Sequence, residues 1–182
     1  TFCGSLAHGD PAGDWATVAA TLGAELHAVG PDGAVVHSAR GFQTSMFETQ
    51  LGTDQILVEA RIPVPKPGQG SAYLKVERKV GDYAAAAVGA MVVLDGDTIA
   101  EASIGLTNVG PETIHATAAG DALVGKAIGD AAALEEAGRL AMEASDPSSD
   151  LRGPAEYKQD LVRVLTKRAL RTAGARAQGK EA

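Results

Sequence analysis

Residues 72–106 constrain the fold most, because three strand-like runs follow one another there with short turns between them. The runs cover residues 72–79, 84–94 and 98–106. An Asp-Gly-Asp sequence at residues 95–97 is typical of a tight hairpin turn between the last two runs. Two helical patterns follow at residues 130–144 and 155–173, and we expect the chain to fray from Gly174 onward. Strands followed by helices predict an α+β unit, in which an antiparallel sheet has helices packed on one face.

The chain before this sheet is expected to form mixed strands and short helices. Apolar residues at helical spacing predict a helix over residues 14–26, with Asp14 as its N-terminal cap. A Gly-Pro-Asp-Gly turn at residues 30–33 and alternating apolar residues further along indicate strands. The predicted strands cover residues 25–29, 34–38 and 56–62.

Residues 63–70 contain three prolines and two glycines. Proline lacks the amide donor and fixes the backbone, so it ends strands and stiffens linkers. We therefore predict a boundary here between two subdomains, one of residues 1–66 and one of residues 70–175.

Charge and composition argue against several classes of function. The formal charge is −7, which argues against nucleic-acid binding because that binding depends on neutralising phosphates. The single cysteine, Cys3, excludes an internal disulfide and a cysteine-ligated iron–sulfur cluster, which needs about four thiolates. No apolar run approaches the ~20 residues of a transmembrane helix. A metal site is not expected, because ligand spacing is lacking among the histidines His8, His27, His37 and His115.

The opening residues, 1–14, are the first candidate for a ligand-binding site. Small residues at Gly4 and Ser5 would let a ligand approach the backbone, and successive amides could hold a phosphate. Thr1 and Ser5 add hydroxyl groups, and Asp14 adds a carboxylate suited to a sugar diol. The alternative is an ordinary glycine-rich turn with Asp14 capping the helix that follows. Spacing alone favours that alternative.

A second candidate lies at residues 75–83. On a strand, Lys75, Glu77 and Lys79 would share one face. A lysine over a buried site could hydrogen-bond an electron-rich carbonyl or ring nitrogen, and Tyr83 could stack on a ligand. The alternative is a charged, exposed strand face with Tyr83 packed against the protein.

Taken together, these segments resemble the flavoprotein (medium) subunits of the molybdenum hydroxylases. TFCGSLAHGDPAGDW at the start is similar to that family's second flavin motif, T-I-G-G-[NDS]-L-A-x-A-D-P-x-x-D. QILVEARIP at residues 55–63 resembles the family's strand after the linking loop, and YLKVERKVGDYA at residues 73–84 resembles its next signature. The nearest likeness is to aerobic carbon monoxide dehydrogenase, and a more distant one is to the flavin domain of xanthine dehydrogenase.

The resemblance implies FAD as the cofactor, with no catalytic residue in this chain. The implied contacts are Thr1, Cys3, Gly4, Ser5, Asp14, Leu57, Lys75 and Tyr83. The first four would line the pyrophosphate and flavin, Asp14 would hold a sugar or ribityl hydroxyl, and Leu57 would pack on the ligand. Lys75 and Tyr83 would approach the isoalloxazine. Cys3 stands where the family usually has glycine, and its side chain narrows the allowed backbone angles.

The resemblance also implies a relay of electrons. A large subunit with the molybdenum cofactor would oxidise the substrate, and a small subunit with 2Fe-2S clusters would pass the electrons to FAD and on to an external acceptor. The expected assembly is a dimer of heterotrimers in the cytoplasm, able to attach to the inner membrane face, with no nucleic acid and no transmembrane segment.

Two further expectations complete the sequence analysis. The family's glycine-rich first flavin motif is absent, so the sequence is expected to begin inside the flavin domain, N-terminally truncated. The alternatives to carbon monoxide dehydrogenase are a non-catalytic assembly module, or the equivalent subunit of a purine, nicotinate or aromatic acyl-CoA hydroxylase.

Overall fold

The computed structural model describes residues 1–180 and has the predicted α+β architecture. The helices are α1 Phe2–His8, α2 Asp14–Leu22, α3 Thr117–Asp121, α4 Ala131–Ala144 and α5 Ala155–Ala177. The strands are β1 Glu25–Gly30, β2 Gly33–Ser38, β3 Gln43–Ser45, β4 Glu48–Thr49, β5 Ile56–Arg61, β6 Gln69–Val76, β7 Ala86–Asp95, β8 Thr98–Thr107 and β9 Ile114–His115. They form antiparallel sheets in the orders β2-β1-β5, β3-β4 and β6-β7-β8-β9.

Strands β6, β7 and β8 form the predicted three-stranded meander, and the short strand β9, which was not predicted, adds a fourth. The first face of this sheet carries the main core. Val88, Ala90 and Val92 of β7 are fully buried on this face, against α5, and α4 packs in turn against α5. Alternation along a strand sends successive side chains to opposite faces, so these even-numbered residues share one side. The helices predicted after the strands therefore pack where the α+β pattern placed them.

The opposite face of the sheet is covered by α2. Gly89 of β7 and Gly105 of β8 are directly paired on that face. A Cβ at Gly105 would lie 2.5 Å from the hydroxyl of Thr21 on α2, a distance that real Cβ atoms do not tolerate. The two glycines let the helix backbone approach the strands closely. A helix from residues 1–66 thus packs directly on the sheet of residues 70–175; their division into separate subdomains stays a prediction.

The smaller sheet, β2-β1-β5, packs under α1 and α2 around a second core cluster. Here α2 ends at Leu22 rather than at residue 26, because Gly23 adopts the left-handed conformation with φ of 68°. That turn lets β1 begin at Glu25, so the end of the predicted helix was wrong. Hairpin strands β1 and β2 and the later strand β5 lie at the predicted positions.

The C-terminal helix is longer than predicted. α5 continues to Ala177, so the expected fraying from Gly174 was wrong. The reason is packing: the Arg176 guanidinium donates to the Ser71 carbonyl at 2.8 Å, and a Cβ at Gly174 would meet the Ile128 side chain. Within residues 1–180, no helix combines the length and the apolar character needed to span a bilayer.

Gly70 on β6 tests the packing of α5 on the sheet. A Cβ there would lie 2.0 Å from the Ala173 carbonyl oxygen and 2.4 Å from the Ala177 amide nitrogen, both of which are backbone atoms. We expect Gly70→Ala to lower the free energy of unfolding by about 3 kcal/mol, because the helix must move. Urea unfolding measures this. Gly129→Ala, in open space, is the matched control and should change stability by less than about 0.5 kcal/mol; equal effects at both positions would contradict the packing argument.

Candidate functional site

Strand alternation brings Tyr73 and Lys75 to the sheet face that α2 covers. Tyr73 pairs with Gly89, so it shares the face of the glycines that admit the helix, and Lys75 lies two residues further along the same face. Asp14, in the first turn of α2, reaches both side chains. The Tyr73 hydroxyl donates to Asp14 Oδ1 at 2.8 Å, and the Lys75 ammonium donates to Asp14 Oδ2 at 2.9 Å.

Asp14 is therefore not the helix cap that the sequence suggested. The N-cap of α2 is Gly13, and no side chain bonds the cap position. The Asp14 carboxylate is instead turned toward β6, where its two hydrogen bonds fix its orientation. A carboxylate has about four lone-pair positions, so Asp14 keeps acceptor capacity for a ligand.

Lys75 is held at the centre of a charged cluster, with its side chain 17% exposed. Besides Asp14, its ammonium donates to the Asp82 carbonyl at 3.0 Å. Glu77 Oε2 lies 3.0 Å from the ammonium and forms an ion pair with it, although this oxygen lacks hydrogen-bond geometry. The hydrogen bond to Asp14 is the main cause that raises the pKa of Lys75, which keeps the ammonium charged.

A chain of hydroxyl groups continues from Tyr73 into the interior. The Tyr73 hydroxyl lies 3.0 Å from Thr107 Oγ1, which donates to Thr17 Oγ1 at 2.6 Å. Both threonines are fully buried, and burial raises the pKa of Tyr73 far above its ordinary value. The phenol therefore stays protonated. Sequence analysis missed Tyr73, although its separation of two residues from Lys75 on one strand was a usable signal.

The three predicted residues Asp14, Lys75 and Tyr83 line one cleft of about 170 Å³. The remaining lining residues are Ala12, Gly81 and Asp82. Tyr83 is 50% exposed, so its ring can meet a ligand. Its backbone amide donates to Asp82 Oδ1 at 2.8 Å, and this bond is the main cause that lowers the pKa of Asp82.

Residues 77–83 differ from the sequence expectation. β6 ends at Val76, so Lys79 does not continue the strand face of Lys75. The chain turns at Gly81, which has φ of 83°, and returns toward the strand. This turn, rather than the strand itself, positions Tyr83 at the cleft.

The opening stretch is a helix rather than a glycine-rich turn. Thr1 is the N-cap of α1, and its hydroxyl oxygen accepts the Gly4 amide at 3.1 Å. The Gly4 and Ser5 amides therefore bond to Thr1 rather than forming a glycine-rich loop, whereas the first amides of a helix have no partner within the helix itself. Cys3 is half-buried and lies in a helix, whose backbone angles any residue can adopt. Its side chain, in place of the family's usual glycine, therefore causes no backbone strain. Gly4 and Ser5 are exposed.

Leu57 and the first turn of α1 are not among the residues that line the cleft. The Leu57 side chain is 7% exposed and packs in the core cluster with Leu6. Its side chain is therefore occupied by the protein, which leaves its backbone as the available contact. Phe2 meets Trp15 with ring centroids 5.2 Å apart, so the first turns of α1 and α2 are neighbours.

The cleft suits binding rather than acid–base or metal chemistry. Within residues 1–180, no group of three or more His, Cys, Asp or Glu side chains is arranged to hold a metal ion. Burial lowers the pKa of His115 to about 4, and its ring nitrogens bond Ser103 and Thr117, a structural role. The cleft instead offers a carboxylate, an ammonium donor and an aromatic ring, which suit a polar aromatic ligand.

Two family models match this chain. Residues 1–65 match the FAD binding domain in molybdopterin dehydrogenase. Residues 71–173 match the CO dehydrogenase flavoprotein C-terminal domain.

Individual proteins are similar over almost the whole chain. The carbon monoxide dehydrogenase medium chain of Afipia carboxidovorans is 42% identical over 98% of this chain, and that of Hydrogenophaga pseudoflava is 35% identical over 97%. The structure of reconstituted CO dehydrogenase from Oligotropha carboxidovorans superposes with a TM-score of 0.93 at 41% identity, covering 97% of this chain and 61% of the matched one. The chain spans 62% and 61% of the lengths of the two curated relatives.

Tyr73→Phe tests the hydroxyl chain beneath the cleft. Removing the phenol oxygen deprives Asp14 of a donor and leaves Thr107 without this neighbour. We expect the free energy of unfolding to fall by about 1–2 kcal/mol. Tyr157→Phe is the control, because Tyr157 is exposed and its hydroxyl bonds no group within residues 1–180. A loss in both variants of the same size would show that the network adds nothing.

Proposed function

The chain belongs to the CO dehydrogenase flavoprotein family, and from this premise we propose that it is the FAD-binding medium subunit of a molybdenum hydroxylase, specifically an aerobic carbon monoxide dehydrogenase. One observation carries the proposal: Asp14, far away in sequence, lines the same cleft as Lys75 and Tyr83. The 42% identity to a carbon monoxide dehydrogenase medium chain supports the choice of substrate system.

The residues of the cleft fit part of FAD. Its volume of about 170 Å³ is below the 300–1,000 Å³ of typical cofactor pockets, so these residues would hold one portion of the molecule. Asp14, already oriented by Tyr73 and Lys75, would accept from a sugar or ribityl hydroxyl. Tyr83 would offer its ring to the isoalloxazine.

Lys75 would act by its charge. The hydrogen bond to Asp14 keeps it protonated, and Asp82 fixes its direction through the backbone carbonyl. A fixed ammonium beside the isoalloxazine would stabilise negative charge there more than an ion free in water would.

We also propose roles for the remaining predicted contacts, which do not line the cleft. Thr1, Cys3, Gly4 and Ser5 form the start of α1, where we assign them to the pyrophosphate side. Thr1 uses its oxygen to cap the helix but keeps its hydroxyl proton for a ligand. Leu57 would contribute backbone groups, since its side chain lies in the core.

When bound, FAD would accept electrons from the 2Fe-2S clusters of a small subunit and pass them to an external acceptor. Substrate oxidation would take place on a large subunit with the molybdenum cofactor, and this chain would bind and orient its flavin. A dimer of heterotrimers in the cytoplasm is the assembly that the proposal implies.

The visible spectrum of the native-length protein tests the proposal. We expect flavin bands at about one FAD per chain, bleached by carbon monoxide when the partner subunits are present. Bands bleached by a purine or a nicotinate instead would reassign the substrate. A protein without flavin would favour the assembly-module alternative.

Asp14→Asn tests the assignment of the cleft. The amide keeps the shape of the side chain but loses the charge, so we expect FAD to dissociate about tenfold more readily. The dissociation constant can be measured by titrating the FAD-free protein. Asp160→Asn on α5, an exposed carboxylate outside the cleft, is the control and should leave FAD binding unchanged; equal affinities of Asp14→Asn and the parent protein would remove Asp14 from the site.

Lys75→Met tests the electrostatic role. Removing the cation while leaving Asp14 and Glu77 in place destabilises the reduced cofactor, so we expect its midpoint potential to fall by roughly 30 mV, about 1.4 kcal/mol for two electrons. Redox titration measures the shift. Lys79→Met, an exposed lysine beyond the end of β6, is the matched control. An unchanged midpoint potential in Lys75→Met would contradict the electrostatic role of Lys75.

A further inference from the structure

The loop between α4 and α5 is fastened to the protein by a buried lysine. Lys158 of α5 is 2% exposed, and its ammonium lies 3.0 Å from the Ser148 carbonyl and 2.9 Å from Asp150 Oδ2. Burial is the largest single influence and raises the pKa of Asp150, but the hydrogen bonds from Lys158 and the Arg152 amide, together with the charges of both residues, outweigh it, and the pKa lies below its ordinary value. Breaking a buried ion pair costs several kcal/mol of stability, so Lys158 fixes the position of this loop.

The turn within the loop is equally well defined. The backbones of Asp150 and Gly153 exchange two hydrogen bonds of 3.1 Å. Asp150 Oδ1 also accepts the Arg152 amide at 2.8 Å, and the Ser149 hydroxyl accepts the Ala155 amide at 3.0 Å. Arg152 therefore projects from a turn whose backbone bonds are made locally.

Arg152 reaches from this turn to the rim of the cleft. Its guanidinium carbon lies 5.8 Å from the centroid of the Tyr83 ring. That distance is within the ~6 Å range in which a cation is attracted to an aromatic face. The Arg152 side chain is 25% exposed, and partial loss of water strengthens this attraction.

The carboxylate of Asp82 attracts Arg152 by its charge but forms no hydrogen bond with it. Asp82 already accepts the Tyr83 amide on Oδ1 and two N–H groups of Arg78 on Oδ2. Arg152 Nη2 is 3.7 Å from Asp82 Oδ1, too far for a hydrogen bond, and Arg152 Nε is buried without a hydrogen-bond partner within residues 1–180. The loop places the guanidinium over the ring rather than on the carboxylate.

We propose that Arg152 is a positioning residue, which holds the Tyr83 ring for stacking on the isoalloxazine of FAD. This inference rests on the proposed function. The guanidinium covers one face of the ring, so an aromatic ligand stacks on the other. A ring that is ordered before binding spares the ligand the entropic cost of ordering it. Arg152 thus acts through Tyr83 and touches no reacting atom.

The experiment uses the native-length protein in its assembled form, with FAD affinity and the fluorescence of bound FAD as readouts. A stacked aromatic ring quenches flavin emission. We expect Arg152→Gln to weaken FAD binding about five- to tenfold and to raise the emission. Arg152→Lys keeps the charge without the planar surface and should weaken binding about twofold. Arg139→Gln, in exposed ion pairs on α4, should match the parent protein.

The Tyr83→Ala background decides whether Arg152 acts through the ring. There, Arg152→Gln should weaken binding by less than about twofold, because the coupled partner is gone. Parent-like affinity and emission in Arg152→Gln, or equal weakening in both backgrounds, would overturn the assignment. If Arg152→Gln fails to fold, Arg152→Lys decides instead: it should weaken binding about twofold in the parent protein and leave binding unchanged in the Tyr83→Ala background, and equal weakening in both would overturn the assignment. A parent protein that holds no FAD contradicts the proposed function instead.

Discussion

The contact between α2 and the four-stranded sheet is the interaction on which the candidate site depends. Gly89 and Gly105 remove two side chains from the sheet face, and Thr17 and Thr21 of the helix fill the space. A methyl group at either glycine would push the helix outward. The first turn of α2 would then move away from β6, and Asp14 would lose its bonds to the strand. The carboxylate is placed by backbone packing, and its hydrogen bonds only refine that placement.

The charges around the cleft balance one another. Three carboxylates, from Asp14, Glu77 and Asp82, face three cations, from Lys75, Arg78 and Arg152. Lys75 and Arg78 donate hydrogen bonds to these carboxylates, whereas Arg152 lies 3.7 Å from Asp82 without a hydrogen bond and is placed by its own turn, so all three cations are oriented before any ligand arrives. A site arranged in advance stabilises charge on a ligand without reorganising, which is the main way in which a protein tunes a bound cofactor.

The sequence predicted the strands well and the local turns less well. Hydrophobic alternation located the meander, helical spacing located both long helices, and the three motif likenesses pointed to Asp14, Lys75 and Tyr83. Sequence analysis missed the helix over Phe2–His8, because Gly4 within it and Gly9 after it resemble a loop while Thr1 supplies the cap. Arg152 could not have been found, since a loop almost seventy residues after Tyr83 reaches the cleft only through the packing of α4 and α5.

The cleft draws its groups from both parts of the chain. Asp14 comes from residues 1–66, whereas Lys75, Tyr83 and Arg152 come from residues 70–175. A ligand that contacts Asp14 and Tyr83 together therefore bridges the contact between α2 and the sheet. By mass action, a ligand that binds only the assembled arrangement also stabilises it. Ligand binding and the packing of α2 on the sheet are therefore thermodynamically coupled. Gly89 and Gly105, which let the helix approach the sheet, affect both.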